Sequence, residues 1–377
     1  MRLLHIFPTF AMGGQQRRMA QIANALAQGA RHRDAIHHIV SLNGDLSAAS
    51  LLREGGVPFE TTALDPSPSS PLGVMRIKTL IEVLRKSAPT VVCTYNWGGI
   101  EGVLAIRASL RAPHIHYEDG FGPDENPNEQ KTRRVLARRL LLSGTTIVVP
   151  SRTLERVARS VWRLPEENVR FIANGVDIAR FSGDVRTDAD TDADKDADGG
   201  TVIGAVGALR AEKNHAALLR AAASLKIKAA VEIVGDGPLR DPLRALCTSS
   251  GLDPAAVLTG ETTAPEEAYR RFDIFCLPST TEQMPLSLLE AMAAGLPAVA
   301  SDVGDVKEMV AAENHPFITP PGDDQALIAA LHALADDREL RQRIGRANAE
   351  KARRNYALDQ MTDAHLDLIT AMAKPPG

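Results

Sequence analysis

The chain has 377 residues, 44% of them apolar and 24% charged, with a formal net charge of −4. That length exceeds what one ordinary hydrophobic core holds and predicts two domains. The slightly acidic balance argues against nucleic-acid binding, which shows as a strongly basic domain, and no apolar run reaches membrane-spanning length.

The start, Met-Arg-Leu-Leu-His-Ile-Phe, reads as a short strand stopped by Pro8. It lacks the long apolar region and cleavage site of a signal peptide. In the first half, strands are predicted at 3–7, 35–42, 90–94, 114–117, 146–149 and 169–172, with helices that include 17–28 and 74–86. In the second half, strands at 202–206, 230–234, 256–259, 274–277 and 298–301 alternate with helices such as 216–224. This alternation predicts an α/β fold of two Rossmann-like, doubly wound domains, each a parallel sheet wrapped by helices. The expected boundaries are 1–183 and 201–357, with a spacer at 184–200 and a C-terminal helix within 358–377. Cys93, Cys247 and Cys276 are scattered without a CxxC pair, and the first and last sit in apolar runs. They read as buried thiols in a reduced, cytoplasmic setting.

Several strand ends carry polar residues. Gly13-Gly14 joins the first strand to the first helix, and glycines there permit positive φ and close approach of a ligand, or merely a tight connection. The position matters because open α/β sheets bind ligands beyond the carboxyl ends of their strands. His116 lies near the end of the 114–117 strand with Glu118 and Asp119 beside it. It is either a group facing that crevice or a satisfied polar residue at a strand end. Residues 125–142 read as a helix with Lys131, Arg133, Arg134, Arg138 and Arg139 interleaved with Val135, Leu136, Leu140, Leu141 and Leu142. That strip suits an anionic membrane surface, or else a helix with one face in the core and a solvated basic side. The acidic repeat at 184–200 cannot bury apolar surface and reads as a mobile linker. An EF-hand loop starting at Asp194 would continue through Asp196, Asp198 and Gly199 but has Ala205 in place of the final Glu, so no metal site is expected.

Beyond the linker, Gly207-Ala208-Leu209-Arg210 leads to Glu212-Lys213-Asn214, and Gly235-Asp236-Gly237-Pro238 follows the next strand. The most informative segment is 282–297, Glu-Gln-Met-Pro-Leu-Ser-Leu-Leu-Glu-Ala-Met-Ala-Ala-Gly-Leu-Pro. Pro285 is expected as the first helical residue, with Gly295 as a left-handed cap and Pro297 as a breaker. Free N–H groups around Leu286 and Ser287 make an anion site, while Glu282 and Glu290 can hold hydroxyls. A nucleotide sugar offers both.

These stretches, with Ile172-Ala-Asn-Gly-Val-Asp177, Phe181, Thr259-Gly260, Ser301-Asp-Val-Gly304 and Glu308, make most of residues 170–310 resemble the family-4 retaining glycosyltransferases (glycosyl transferases group 1) of the GT-B fold. The resemblance implies two Rossmann-like domains with the active site in the cleft between them, and a C-terminal helix returning toward the first domain. It implies a retaining transfer of a hexosyl unit from a UDP- or GDP-linked sugar to a glycan or glycolipid hydroxyl, in bacterial polysaccharide or lipopolysaccharide assembly. It further implies no cofactor and no metal, so cationic groups and helix N-termini must stabilise the leaving diphosphate. Lys213 matches the family's phosphate-binding lysine. The family's arginine position is Ala208 here, with Arg210 two residues on as its stand-in. Glu282 would contact the donor sugar and Glu290 the ribose. The backbone at Gln283, Met284, Leu286 and Ser287 would line sugar and diphosphate, alongside Gly13, Gly14 and Gly237, with His116 near the attacking hydroxyl. The family's Glu-Gly-Phe is Glu-Gln-Met here, which points to Gln283 and Met284 as determinants of sugar preference. A nucleotide-sugar 2-epimerase of the same fold and a non-catalytic nucleotide-sugar-binding protein are the alternatives, the second favoured only by Ala208.

Overall fold

A computed structural model describes residues 1–29, 33–64, 73–109, 112–121, 125–127, 129–182, 200–225 and 229–373. The acidic repeat, apart from Gly200, lies outside the described residues, and so does the first half of the EF-hand pattern that starts at Asp194; its second half, from Gly200 to Ala205, leads into the strand Thr201–Val206. The chain forms two units, Met1–Asn174 with Met361–Gly377, and Gly175–Gln360. The first boundary thus falls before the expected 183. Val176 N donates to Tyr356 O at 2.8 Å and Leu358 N to Val176 O at 2.9 Å, and this parallel bridge holds the segment after Asn174 in the second unit.

The strands of the first unit are β1 (Arg2–Phe7), β2 (Ile36–Ser41), β3 (Phe59–Ala63), β4 (Val91–Tyr95), β5 (His114–Tyr117), β6 (Thr146–Val149) and β7 (Val169–Phe171). They form one parallel sheet in the order β3-β2-β1-β4-β5-β6-β7. The strand order reverses between β1 and β4, the switch point where such sheets leave a crevice at their carboxyl ends. Parallel strands covered on both faces are rich in Val, Ile and Leu. Leu4, Ile6, Val40 and Val92 pack with Leu80 and Leu84 of the helix Val74–Ser87. Ile147 and Val149 pack with Leu154 and Trp162 in a second cluster. β3 was not expected, because Phe-Glu-Thr-Thr-Ala is a largely exposed edge strand with little apolar signal.

The second unit holds β8 (Thr201–Val206), β9 (Ala229–Val234), β10 (Leu258–Gly260), β11 (Ile274–Leu277), β12 (Ala298–Ser301) and β13 (Ile318–Thr319), in the order β10-β9-β8-β11-β12-β13. The strand expected at 256–259 begins only at Leu258, as β10, because Pro254–Val257 form a short helix that Asp253 caps at Ala255 N (2.9 Å) and whose first turn proline takes. The helix expected over 125–142 is shorter, Thr132–Leu142, since Glu125 folds back to accept Lys131 N at 2.9 Å. Among the described residues no helix is long and apolar enough to cross a membrane.

Candidate functional site

In the second unit the loops after β8, β9, β11 and β12 leave carboxyl ends of the strands. After β8 the chain passes Gly207 and Leu209 into a 3-10 turn, Ala211–Lys213, and then the helix His215–Ser224. Asn214 takes φ +49, a left-handed conformation that asparagine tolerates. Leu209 N donates to Asp236 O at 2.9 Å and Leu239 N to Leu209 O at 3.0 Å, tying the β8 and β9 loops together. A Cβ on Gly237, at φ +157, would meet Leu209 N at 2.9 Å, so this closure needs glycine. On the other side, Thr280 N donates to Glu212 O at 2.8 Å and draws the same loop to the end of β11. The result is an ion pair: Lys213 Nζ lies 2.6 Å from Glu282 Oε1, and Ser279 Oγ donates to that oxygen at 2.8 Å. Arg210 is exposed, and its side chain makes no hydrogen bond or ion pair among the described residues. His215, buried next to the loop, has its pKa lowered to about 4 by burial and by the Lys213 charge.

The helix that follows the loop after β11 is Leu286–Ala293, and Pro285 stands before its first turn with extended backbone rather than within it. Gly295 takes φ +73 and closes it, as expected. Leu288, Leu289, Ala291, Met292 and Ala293 are buried, which leaves Leu286, Ser287 and Glu290 part-exposed one turn apart. Gly304 (φ +59) packs on the backbone of Glu282 and Gln283, and Asp305 N donates to Gln283 O at 3.0 Å. Gln283 and Met284, singled out for sugar preference, have buried side chains. Sequence reasoning missed Tyr269, whose hydroxyl donates to Glu290 Oε2 at 2.8 Å and lies 3.0 Å from Ser287 O. Its signal was available, because a buried tyrosine usually finds a partner for its hydroxyl.

In the first unit the expectations need more correction. Neither Gly13 nor Gly14 has positive φ: Gly13 is extended at φ −172, and Gly14 opens the helix Gly14–Gln28. His116 is 0% exposed, with Nδ1 2.7 Å from Thr94 Oγ1 and Nε2 3.1 Å from Glu118 Oε2. Both ring nitrogens are engaged within the unit, so His116 is a satisfied strand residue rather than an open one. Burial opposes the charge of Glu118, but the His116 hydrogen bond and the Arg138 guanidinium outweigh it and hold the carboxyl below its usual range. Arg138 is fully buried between Trp97 and Trp162, 5.0 and 4.8 Å from their rings, and reaches Glu118 and Glu125 at 3.3 and 3.4 Å. It is therefore no part of a surface strip. At the ends of β1, β4 and β5, Arg18 NH2 donates to Asp119 Oδ2 at 2.8 Å, Gln15 also donates to Asp119, and Asp119 N donates to Asn96 Oδ1 at 2.8 Å. Asn96 is held at φ +52. None of Gln15, Arg18 or Asn96 was singled out in sequence, since their partners lie on distant strands.

The family description Glycosyltransferase Family 4 matches residues 12–180, and Glycosyl transferases group 1 matches residues 188–351. The chain belongs to the family-4 glycosyltransferases. Its two parallel-sheet units are the GT-B fold. A crystal structure of the Anabaena protein Alr3699/HepE in complex with UDP and glucose shares this fold, with a TM-score of 0.80 at 18% identity, covering 98% of this chain and 100% of that one. Sulfoquinovosyl transferase SQD2 of Arabidopsis thaliana is 34% identical over 151 residues, 39% of this chain and 29% of that protein. The lipopolysaccharide core biosynthesis glycosyltransferase LpsD of Rhizobium meliloti (strain 1021) is 31% identical over 168 residues, 45% of this chain and 49% of that protein. The matches thus span half or less of these curated relatives.

Within this family-4 chain, the structure joins Lys213 and Glu282 directly, and sets Gly237 and the first turn at Leu286 and Ser287 on the same set of strand-end loops. Glu290 follows one turn along the helix. Gly13, Gly14 and His116 belong to the first unit.

Proposed function

We propose that the chain is a retaining hexosyltransferase using a UDP- or GDP-linked sugar as donor and a hydroxyl of a glycan or glycolipid as acceptor, in bacterial polysaccharide or lipopolysaccharide assembly. The observation that carries this is the Lys213–Glu282 pair at the start of a helix whose first turn presents Leu286 and Ser287 and whose next turn presents Glu290. The relatives lend support by name, one a sulfoquinovosyl transferase and one a lipopolysaccharide core glycosyltransferase.

In this reading the donor diphosphate displaces Glu282 from Lys213. The ammonium and the free N–H groups of the helix N-terminus then meet the charge that grows on the leaving group, and no metal ion is invoked. Arg210 supplies a second cation in place of the guanidinium absent at Ala208. Glu290 accepts from the ribose hydroxyls, and the released Glu282 accepts from a donor-sugar hydroxyl. The acceptor hydroxyl attacks the anomeric carbon from the side of the leaving group. The bond from that carbon to the phosphate oxygen breaks, and the acceptor's proton passes to the departing phosphate. His116 acts at one remove, holding through Glu118 the loop that follows β5. The protein works in the cytoplasm, with contact to an anionic membrane surface through residues 131–142.

The test is incubation with a panel of UDP-, GDP- and ADP-hexoses while donor consumption and product are followed. Release of nucleoside diphosphate with sugar transfer or donor hydrolysis is the expected result, and Lys213→Ala and Glu282→Ala should each lower turnover on the order of 100-fold. Near-wild-type turnover in both variants would remove the site assignment, and an epimerised donor would indicate the epimerase instead.

A further inference from the structure

Glu290 does not stand alone. Tyr269, on the helix Pro265–Arg271, is 1% exposed, with its ring 5.6 Å from that of Phe181, 5.8 Å from Phe272 and 5.9 Å from Phe275. Three aromatic neighbours leave the ring little freedom, so its hydroxyl is a donor at a fixed place. That hydroxyl has one proton to donate, and Glu290 Oε2 at 2.8 Å and Ser287 O at 3.0 Å lie within its reach. The carboxylate oxygen is the nearer partner and accepts the hydrogen bond from the hydroxyl.

The consequence concerns orientation. A glutamate has three side-chain torsions, and a carboxylate on a part-exposed helix face ordinarily samples several rotamers. A donor fixed on one oxygen selects one of them before any ligand arrives. A vicinal diol donates two hydrogen bonds in a set geometry, and an acceptor already aligned with it gives up less freedom on binding. We propose that Tyr269 is a positioning residue for ribose recognition: by orienting Glu290 it sets how strongly the site distinguishes a ribonucleotide from a deoxyribonucleotide. This rests on the assignment of Glu290 to the ribose in the proposed function.

Tyr269→Phe removes the hydroxyl and keeps the ring in its aromatic cluster. Affinities of UDP, GDP and their 2′-deoxy counterparts are measured by titration calorimetry for the wild type, Tyr269→Phe, Glu290→Gln and Leu331→Val. The wild type should favour its preferred ribonucleotide over the 2′-deoxy form by about tenfold, as a hydrogen bond to a charged group does. Tyr269→Phe should lower that ratio at least about threefold, mainly by weakening the ribonucleotide, and Glu290→Gln should lower it too. Leu331→Val, which disturbs a core cluster that does not include Tyr269 or its aromatic neighbours, should leave the ratio unchanged even if both affinities fall. A wild-type ratio preserved in Tyr269→Phe would overturn the role of the tyrosine alone. Equal wild-type affinity for ribo and deoxy forms would overturn the Glu290 assignment beneath it, and absence of any nucleoside diphosphate binding would overturn the proposed function itself.

Discussion

His5, His37, His114 and His365 lie inside the first unit, and burial pushes each toward the neutral form. The pKa falls to about 4 for His37 and about 3 for His114, and well below its ordinary value for His5 and His365. His5 Nε2 lies 3.1 Å from His37 Nδ1, a contact that needs one ring to accept and therefore to stay unprotonated there. In the unfolded chain these histidines titrate near the ordinary value of 6.5, so below that pH the unfolded state binds more protons than the folded one. Stability is then fully present above about pH 6.5 and lost as pH falls toward 4, by up to about 1.4 kcal/mol per pH unit for each histidine. Glu118, held below its ordinary 4.5, adds to the loss only at still lower pH. Both tryptophans of the chain, Trp97 and Trp162, belong to the first unit, so their fluorescence reports its unfolding. Urea midpoints followed by that signal should drop between pH 7.5 and 5.5, and a flat or rising midpoint would contradict neutral buried histidines.

Two faces of one helix bear differently on membrane contact. The inward face of Thr132–Leu142 carries Arg138, locked against Glu118 and Glu125, and Arg134, 3.1 Å from Glu125. The outward face carries Leu136 and Leu140, 54% and 60% exposed and one turn apart, with Arg133 and Arg139 exposed beside them. Exposed leucines flanked by arginines fit the boundary of an anionic bilayer better than bulk water. Sedimentation with phosphatidylglycerol vesicles at low salt should pull the protein down, and the double variant Leu136→Asp, Leu140→Asp should bind about tenfold less. Failure of the wild type to sediment would end the membrane proposal. Sequence periodicity alone overcounted the basic strip, because it could not tell that Arg138 points to two carboxylates. Strands were legible where burial on both faces leaves largely apolar runs, as in β6, β11 and β12, which match their expected limits. They were not legible in β3, which is exposed and polar, or in β13, which is only Ile318–Thr319.

For the molecule as a whole, the alternation of strand and helix was enough to foresee two parallel sheets. The unit boundary was not, because it depends on a bridge between Val176 and Ala357, residues that carry no local signal. The second unit's site was largely readable, since its residues cluster in glycine- and proline-punctuated loops after strands. Lys213 and Glu282 are 69 positions apart, and their pairing follows from the backbone bond between Thr280 and Glu212. The first unit's polar residues were harder to read, because His116, Asp119 and Arg138 take their meaning from partners on other strands. In the proposed function Lys213 holds a nucleoside diphosphate. Titration calorimetry of UDP, GDP, UMP and GMP against the wild type and Lys213→Ala tests it most directly. One diphosphate should bind more tightly than its monophosphate, and Lys213→Ala should weaken the diphosphate about tenfold or more while leaving the monophosphate nearly unchanged. A wild type that binds no nucleoside diphosphate, or a Lys213→Ala variant that binds it undiminished, would contradict that role of Lys213.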